Sequence, residues 1–241
     1  MKKLPLVRLD YYQYCVETWI EILKLIPFSK IDSIVDICCG WAPKIELALL
    51  ETDFTGTVFA LDKSKDNLSI LKSLIDPFPK KFRIRYLVKD IVKNSPKPLP
   101  VKPDLIIGNH ILDDLFIDYY CHKSRLSRDN LYLDIEEMSY IWKKIISSKK
   151  VRDEVLDRVL SFFIQNLKPQ GILILTQYTG YQERLYGKGE WARYCQETLK
   201  ILKDQLLSDK IFRENNQEIF LFNNIKNPYF TEENIIVLEK R

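Results

Sequence analysis

No apolar run in this 241-residue chain reaches the ~18–20 residues that a membrane-spanning helix needs. The opening Met1-Lys2-Lys3-Leu4-Pro5-Leu6-Val7-Arg8 has two lysines but too short an apolar core for a signal peptide. Histidine is almost missing, with only His110 and His122. The five cysteines, Cys15, Cys38, Cys39, Cys121 and Cys195, are odd in number and contain no CxxC pair. No zinc spacing can be built from these residues, so no metal is expected, and reduced thiols in a cytoplasmic protein fit best. No G-x-G-x-x-G turn is present, which counts against a nicotinamide dehydrogenase. A net charge of +4 is mild, and no basic stripe with interleaved aromatics accompanies it. The nearest group, Lys143-Lys144 with Lys149-Lys150-Val151-Arg152, reads as the solvated end of a helix and its loop. Nucleic acid and membrane are therefore not expected partners.

What remains is an ordinary globular composition, 46% hydrophobic and 29% charged, in a chain long enough for a self-sufficient core. No repeat and no linker divides it. Residues 11–26 carry Tyr12, Cys15, Val16, Trp19, Ile20 and Leu23 at helical spacing, and Pro27 ends that helix. Short β-branched runs follow at 33–37, 57–61, 82–88, 104–108 and 172–178, with helices expected near 43–50, 64–74, 131–147, 151–167 and 190–207. Asn94 to Pro103 holds four prolines, so an extended loop is expected where a crossover helix would usually run. Segments 218–222 and 235–238 are expected to pair as an antiparallel ribbon around Asn227-Pro228. The fold class is thus α/β, doubly wound and Rossmann-like. The sheet is mostly parallel, with an antiparallel C-terminal pair and extra helices between strands four and five.

The chemistry gathers at the strand ends. Ser33-Ile34-Val35-Asp36-Ile37-Cys38-Cys39-Gly40-Trp41-Ala42-Pro43 reads as a buried strand with one acid, a tight turn and a helix opened by proline. The next strands end at Asp62, Asp90 and Asn109-His110. In an open parallel sheet, ligands lie beyond the carboxyl ends of the strands, where strand order reverses. An acid closing the second strand suits ribose hydroxyls, and one closing the third suits an exocyclic amine.

On these residues the chain resembles the class I S-adenosylmethionine-dependent methyltransferases, across roughly residues 31–180. Asp36 and Gly40 match the family's acid and central glycine, while Cys38 and Ala42 replace its first and third glycines. The resemblance implies S-adenosylmethionine as cofactor and a single binding domain at 31–241. That domain would carry a helical insertion at about 111–167, behind an N-terminal helical lid at 1–30. It implies cofactor contacts from Asp36, Cys38, Gly40, Asp62, Lys63, Asp90, Ile91 and Asn109. Asp36 would orient the ammonium group, Asp62 the ribose, and Asp90 with Ile91 the adenine. A side chain at Cys38 requires negative φ or some strain.

His110 reads either as a general base of near-neutral pKa or as a polar cap on the next helix. Asp113 and Asp114 read as helix N-terminal acids, or as carboxylates that support His110 and hold an acceptor. Tyr12, Tyr178, Tyr181 and Trp191 are the acceptor-binding candidates, with core packing the alternative for Tyr12 and Tyr178. The expected activity is methyl transfer to a small-molecule acceptor. Reaction at the aminocarboxypropyl group, by transfer or cyclisation with release of methylthioadenosine, is the alternative. A non-catalytic binding protein of the same fold is the third reading.

Overall fold

Five short runs rich in Ile, Leu and Val form the parallel part of one sheet: β1 (Ser33–Ile37), β2 (Thr57–Asp62), β3 (Arg83–Val88), β4 (Leu105–Asn109) and β5 (Ile172–Thr176). The computed structural model describes residues 9–92, 98–127, 131, 134–180, 183–184, 186–215 and 232–241. Two antiparallel strands, β6 (Phe212–Glu214) and β7 (Ile235–Lys240), complete the order β3-β2-β1-β4-β5-β7-β6. The expected antiparallel pair is therefore present, with β6 as the partner of β7. Segment 218–222 and Asn227-Pro228 lie outside the described residues.

Side-chain alternation divides the sheet into two faces. Ile34, Val58, Ile107 and Ile174 pack against α1 (Leu9–Lys24) and α2 (Lys44–Leu50). On the same face Ala60 meets Leu68 and Leu71 of α3 (Lys65–Ile75), whose cap is the Ser64 hydroxyl accepting from Asn67 N. The opposite face, with Val35, Ile37, Leu61, Ile106 and Leu175, is covered by four helices. These are α4 (Leu112–Ser124), α5 (Ile135–Ile146), α6 (Lys149–Asn166) and α7 (Gly189–Ser208). Sequence periodicity does not reveal α4 because it is buried nearly all round, through Leu112, Leu115, Phe116, Ile117, Tyr119 and Cys121. Buried residues spread around the helix leave no single apolar stripe to read. Among the described residues no helix is long and apolar enough to cross a membrane.

The end of the sheet away from the strand termini is clamped by Asp104. It accepts from Ser33 N at 2.9 Å and Ser33 Oγ at 2.8 Å, and pairs with Lys168 Nζ at 2.6 Å. Burial pulls this carboxyl upward, but the Lys168 ammonium and the Ser33 hydroxyl hold it below the usual carboxylate range. Gly56 makes the turn into β2, and a Cβ there would stand 2.2 Å from the backbone oxygen of Asp32. That oxygen also accepts from Thr57 N, so it cannot move away freely. Gly56→Ala is expected to destabilise the fold by about 3 kcal/mol, read as a lowered urea midpoint with unchanged slope.

Candidate functional site

Strand order reverses between β1 and β4, which run parallel with Ile37 opposite Gly108. The turn after β1 is held in a left-handed shape, with φ +53 at Cys38 and +66 at Gly40. Gly40 adopts this at no steric cost, and a Cβ there would meet nothing within 4 Å, so its backbone borders open space. At Cys38 the expected strain is therefore real. Burial, with the charge of Asp62, pushes the Cys38 thiol well up, so it is a neutral, unreactive group at ordinary pH.

The turn is set by Asp62. Its Oδ2 accepts from Gly40 N at 3.0 Å and its Oδ1 from Ser64 N at 2.7 Å and Asn67 Nδ2 at 3.3 Å. One carboxylate thus fastens the β1 turn to the head of α3. Asp90 organises the turn after β3 in the same manner, accepting from Val92 N at 2.9 Å, and the next residue, Ile91, is buried. Lys63 pairs with Asp118 of α4 at 2.5 Å, joining the end of β2 to the helical layer.

Two polar atoms at the strand-order reversal, Asp36 Oδ1 and Asn109 Nδ2, are buried and have no hydrogen-bond partner among the described residues. Both residues project from the same face of the sheet, since Asp36 is level with Ile107. The orientation of the Asn109 amide is fixed by three donors on its oxygen: Trp19 Nε1 at 2.8 Å, Tyr178 OH at 3.2 Å and Thr176 Oγ1 at 3.3 Å. The acceptor and donor left over match the ammonium and carboxylate of an amino acid. Trp19 also builds α1 into this wall, as does Cys15, whose sulfur lies 3.6 Å from Tyr178 OH.

Asp36 has a charged neighbour that sequence reading missed. Glu46 of α2 is 0% exposed, and neither of its carboxylate oxygens has a partner. Its charge acts on Asp36 and on Tyr86, which stand on either side of Ala60 in one cross-strand row. Burial drives the Asp36 carboxyl well up and Glu46 adds to this. Burial likewise raises Glu46 to about 7. An acid among the apolar positions of a short helix, Ile45, Ala48 and Leu49, was the visible signal.

Beyond β4, His110 takes φ +56 and its N–H donates to Thr176 O at 2.9 Å. It does not cap α4. The cap position is Ile111, and the free N–H of Leu112 is taken by Gln177 Oε1 at 3.0 Å. The His110 ring leans on Tyr178, with centroids 4.7 Å apart. Its Nδ1 is 3.1 Å from Asp113 Oδ1 and its Nε2 is 4.0 Å from Glu183 Oε1. Burial lowers the imidazole, but the Asp113 carboxylate, with help from Glu183, outweighs it and raises His110 to about 9. Asp113 and Asp114 both occupy the first turn of α4, where the helix dipole favours them. The charge of Asp114 is felt at both Cys38 and Glu183, so it lies between the two halves of the site.

Of the acceptor candidates, Tyr178 is buried in this wall, and Trp191 sits in the helical layer, stacked on Trp142 at 5.5 Å. The Tyr12 side chain and Tyr181 lie outside the described residues. Glu183 was the other omission: it comes from the loop after β5, with no spacing to link it to His110.

A sheet of order β3-β2-β1-β4-β5-β7-β6 with β7 antiparallel, and an acid and a glycine turn at the strand-order reversal, is the fold of the class I S-adenosylmethionine-dependent methyltransferases. No family model and no curated protein matches the chain. Among solved structures, it is similar to the plantazolicin methyltransferase BpumL in complex with SAH. The identity is 11%, over 96% of this chain and 88% of that one, at a TM-score of 0.53. It also matches the S-adenosylmethionine-dependent methyltransferase SibL in its apo form, with 13% identity, 92% and 54% coverage, and a TM-score of 0.48. A third match is an S-adenosylmethionine-dependent methyltransferase from Clostridium acetobutylicum ATCC 824, with 17% identity, 70% and 54% coverage, and a TM-score of 0.43. The chain therefore spans about half the length of the last two.

Proposed function

We propose that this protein is a methyltransferase that takes its methyl group from S-adenosylmethionine and delivers it to a small-molecule acceptor. The observation that carries the reading is the unpartnered pair at the strand-order reversal, a buried acceptor on Asp36 beside a buried donor on Asn109. A zwitterionic amino-acid end would satisfy both, and leaving either bare costs on the order of 1–3 kcal/mol. When bound, the cofactor supplies a sulfonium methyl open to in-line displacement.

The chain does the positioning. Asp36 holds the ammonium end and Asn109 the carboxylate end. Gly40 lets backbone come close, with Cys38 beside it as the neutral wall of the turn. Asp62, fixed by the two turns it joins, turns its carboxylate edge to the ribose, with Lys63 alongside. Asp90 and Ile91 line the adenine side. On the acceptor side stand His110, Asp113, Asp114, Tyr178 and Glu183. The helix α1, which reaches Asn109 through Trp19, and the head of α4 border the site and limit the access of water. Transfer needs the acceptor atom in line and about 3–3.5 Å from the methyl carbon, so alignment is the main demand on these groups. Five free cysteines support a cytoplasmic location in this reading.

Calorimetric titration followed by product analysis tests this. The expected result is saturable binding of S-adenosylmethionine and, with an acceptor, release of S-adenosylhomocysteine. Methylthioadenosine instead would assign the reaction to the aminocarboxypropyl carbon. No heat at millimolar cofactor would overturn the reading altogether.

A further inference from the structure

The His110, Asp113 and Glu183 side chains reach one point from three separate segments: the end of β4, the first turn of α4 and the loop after β5. One ligand atom from each, an imidazole nitrogen and two carboxylate oxygens, lies within 4.8 Å of the others. They pair as charges, but hydrogen-bonding capacity is left over. His110 Nε2 and Asp113 Oδ1 are both buried without a hydrogen-bond partner, although Asp113 Oδ1 stands 3.1 Å from His110 Nδ1. The contact is close but off the hydrogen-bond axis, so the atoms converge rather than bond.

The backbone is cut away to permit this. A Cβ on Gly180 would stand 2.4 Å from Glu183 Oε2 and 3.0 Å from His110 Nε2. A side chain at position 180 would push the Glu183 carboxylate away from its place beside the imidazole. Burial adds a second constraint, because Glu183 keeps only 7% of its side-chain exposure and His110 14%. Two buried carboxylates thus flank one imidazole, and a divalent cation taking the place of its proton would bind all three groups at once.

The geometry points to a divalent metal site made by His110, Asp113 and Glu183, for a first-row ion such as Mn²⁺ or Zn²⁺. One nitrogen and two oxygens are a borderline-to-hard donor set of the kind these ions take. Bond lengths of about 2.0–2.2 Å put neighbouring ligands roughly 3 Å apart, so a small closure of the triad seats the ion. Three protein ligands leave coordination positions open, which is the arrangement of catalytic rather than structural sites. The triad continues the wall formed by Asn109 and Tyr178, so an open position faces the acceptor side. Resting on the proposed methyl transfer, this names the acceptor class: a molecule that presents an oxygen to the ion. Sequence spacing had given no metal site, because its third ligand lies far down the chain in a loop without a motif.

Stripped full-length protein is titrated with MnCl₂ and followed by electron paramagnetic resonance, with ZnCl₂ competition by calorimetry. One Mn²⁺ per chain is expected, with affinity lowered at least 10-fold by Glu183→Gln and by Asp113→Asn. Gly180→Ala, which intrudes on the triad without removing a ligand, is expected to weaken binding as well. Circular dichroism and S-adenosylmethionine binding, measured on the same samples, show whether the variants fold and whether the cofactor half is intact. No Mn²⁺ or Zn²⁺ bound at 1 mM total ion by a folded, cofactor-binding protein would overturn the metal site while leaving methyl transfer standing. Binding that both ligand variants retain would put the ion elsewhere and overturn it too. Failure to bind cofactor, with the metal still bound, would instead count against the methyltransferase reading.

Discussion

Asp62→Asn is expected to weaken S-adenosylmethionine binding by about 100-fold in calorimetric titration, with the fold retained. The carboxylate has two oxygens, and both are engaged by the chain itself, Oδ2 with Gly40 N and Oδ1 with Ser64 N and Asn67 Nδ2. An amide has one acceptor oxygen. The variant must release either the β1 turn or the head of α3, and in either case one backbone N–H is left facing an amide NH₂. A charge-assisted hydrogen bond contributes about 1.5–3 kcal/mol, and 2.8 kcal/mol corresponds to 100-fold in affinity. Ribose contacts from the carboxylate would be lost in the same step. A dissociation constant within threefold of the parent would show that Asp62 neither shapes the turn nor touches the ligand.

The second large effect is on stability and depends on pH. Glu46 has a folded-state pKa of about 7, against 4.5 for the ordinary side chain, because burial removes its water. Below pH 4.5 the group is protonated whether the chain is folded or not, and it contributes nothing. Between 4.5 and 7 the unfolded chain releases the proton and the folded chain keeps it, so stability falls as pH rises. Above 7 the loss is complete. A shift of this size corresponds to a penalty on the order of 3 kcal/mol.

Glu46→Gln keeps the shape and removes the charge. Urea unfolding at pH 8 is expected to show the variant more stable by roughly that amount, while at pH 4.5 the two proteins should nearly coincide. Equal midpoints at both pH values would mean that Glu46 is not the buried titrating group. The groups facing it bear on the same measurement. Asp36 is raised by it, Tyr86 is pushed up by burial and by the charges of Asp76 and Glu46, and Lys44 opposes the shift.

The sheet was legible because β1, β2, β4 and β5 are buried runs of apolar residues; β2, β4 and β5 end in a polar residue, and β1 carries Asp36 one position before its end. Ser64 was readable as a cap because its signal is local. Helix α4 was not, since its buried residues spread around the helix rather than along one stripe, and β6 is too short to leave a pattern. In the candidate site, residues at or just past the strand ends could be named by position: Asp36, Asp62, Asp90, Asn109 and His110. Glu46, Trp19, Gln177 and Glu183 were not, because their roles exist only once distant segments meet. Trp19 reaches Asn109 from the first helix, and Gln177 reaches the head of α4 from β5. Even Asp62 shows the limit: its position was plain, but its hold on Gly40 required coordinates.

Cys38 and His110 share a backbone shape that glycine would take freely, and they stand just beyond the ends of the two strands where the sheet order reverses. Left-handed geometry costs an ordinary residue about 1–2 kcal/mol, so the pair withholds roughly 2–4 kcal/mol from a total that is typically 5–15. Selection for durability alone would have placed glycine at both positions. On the proposed function, keeping a thiol and an imidazole there makes the chain's resistance to heat and its grip on a ligand draw on the same two residues, so that a gain in one at those positions is a loss in the other.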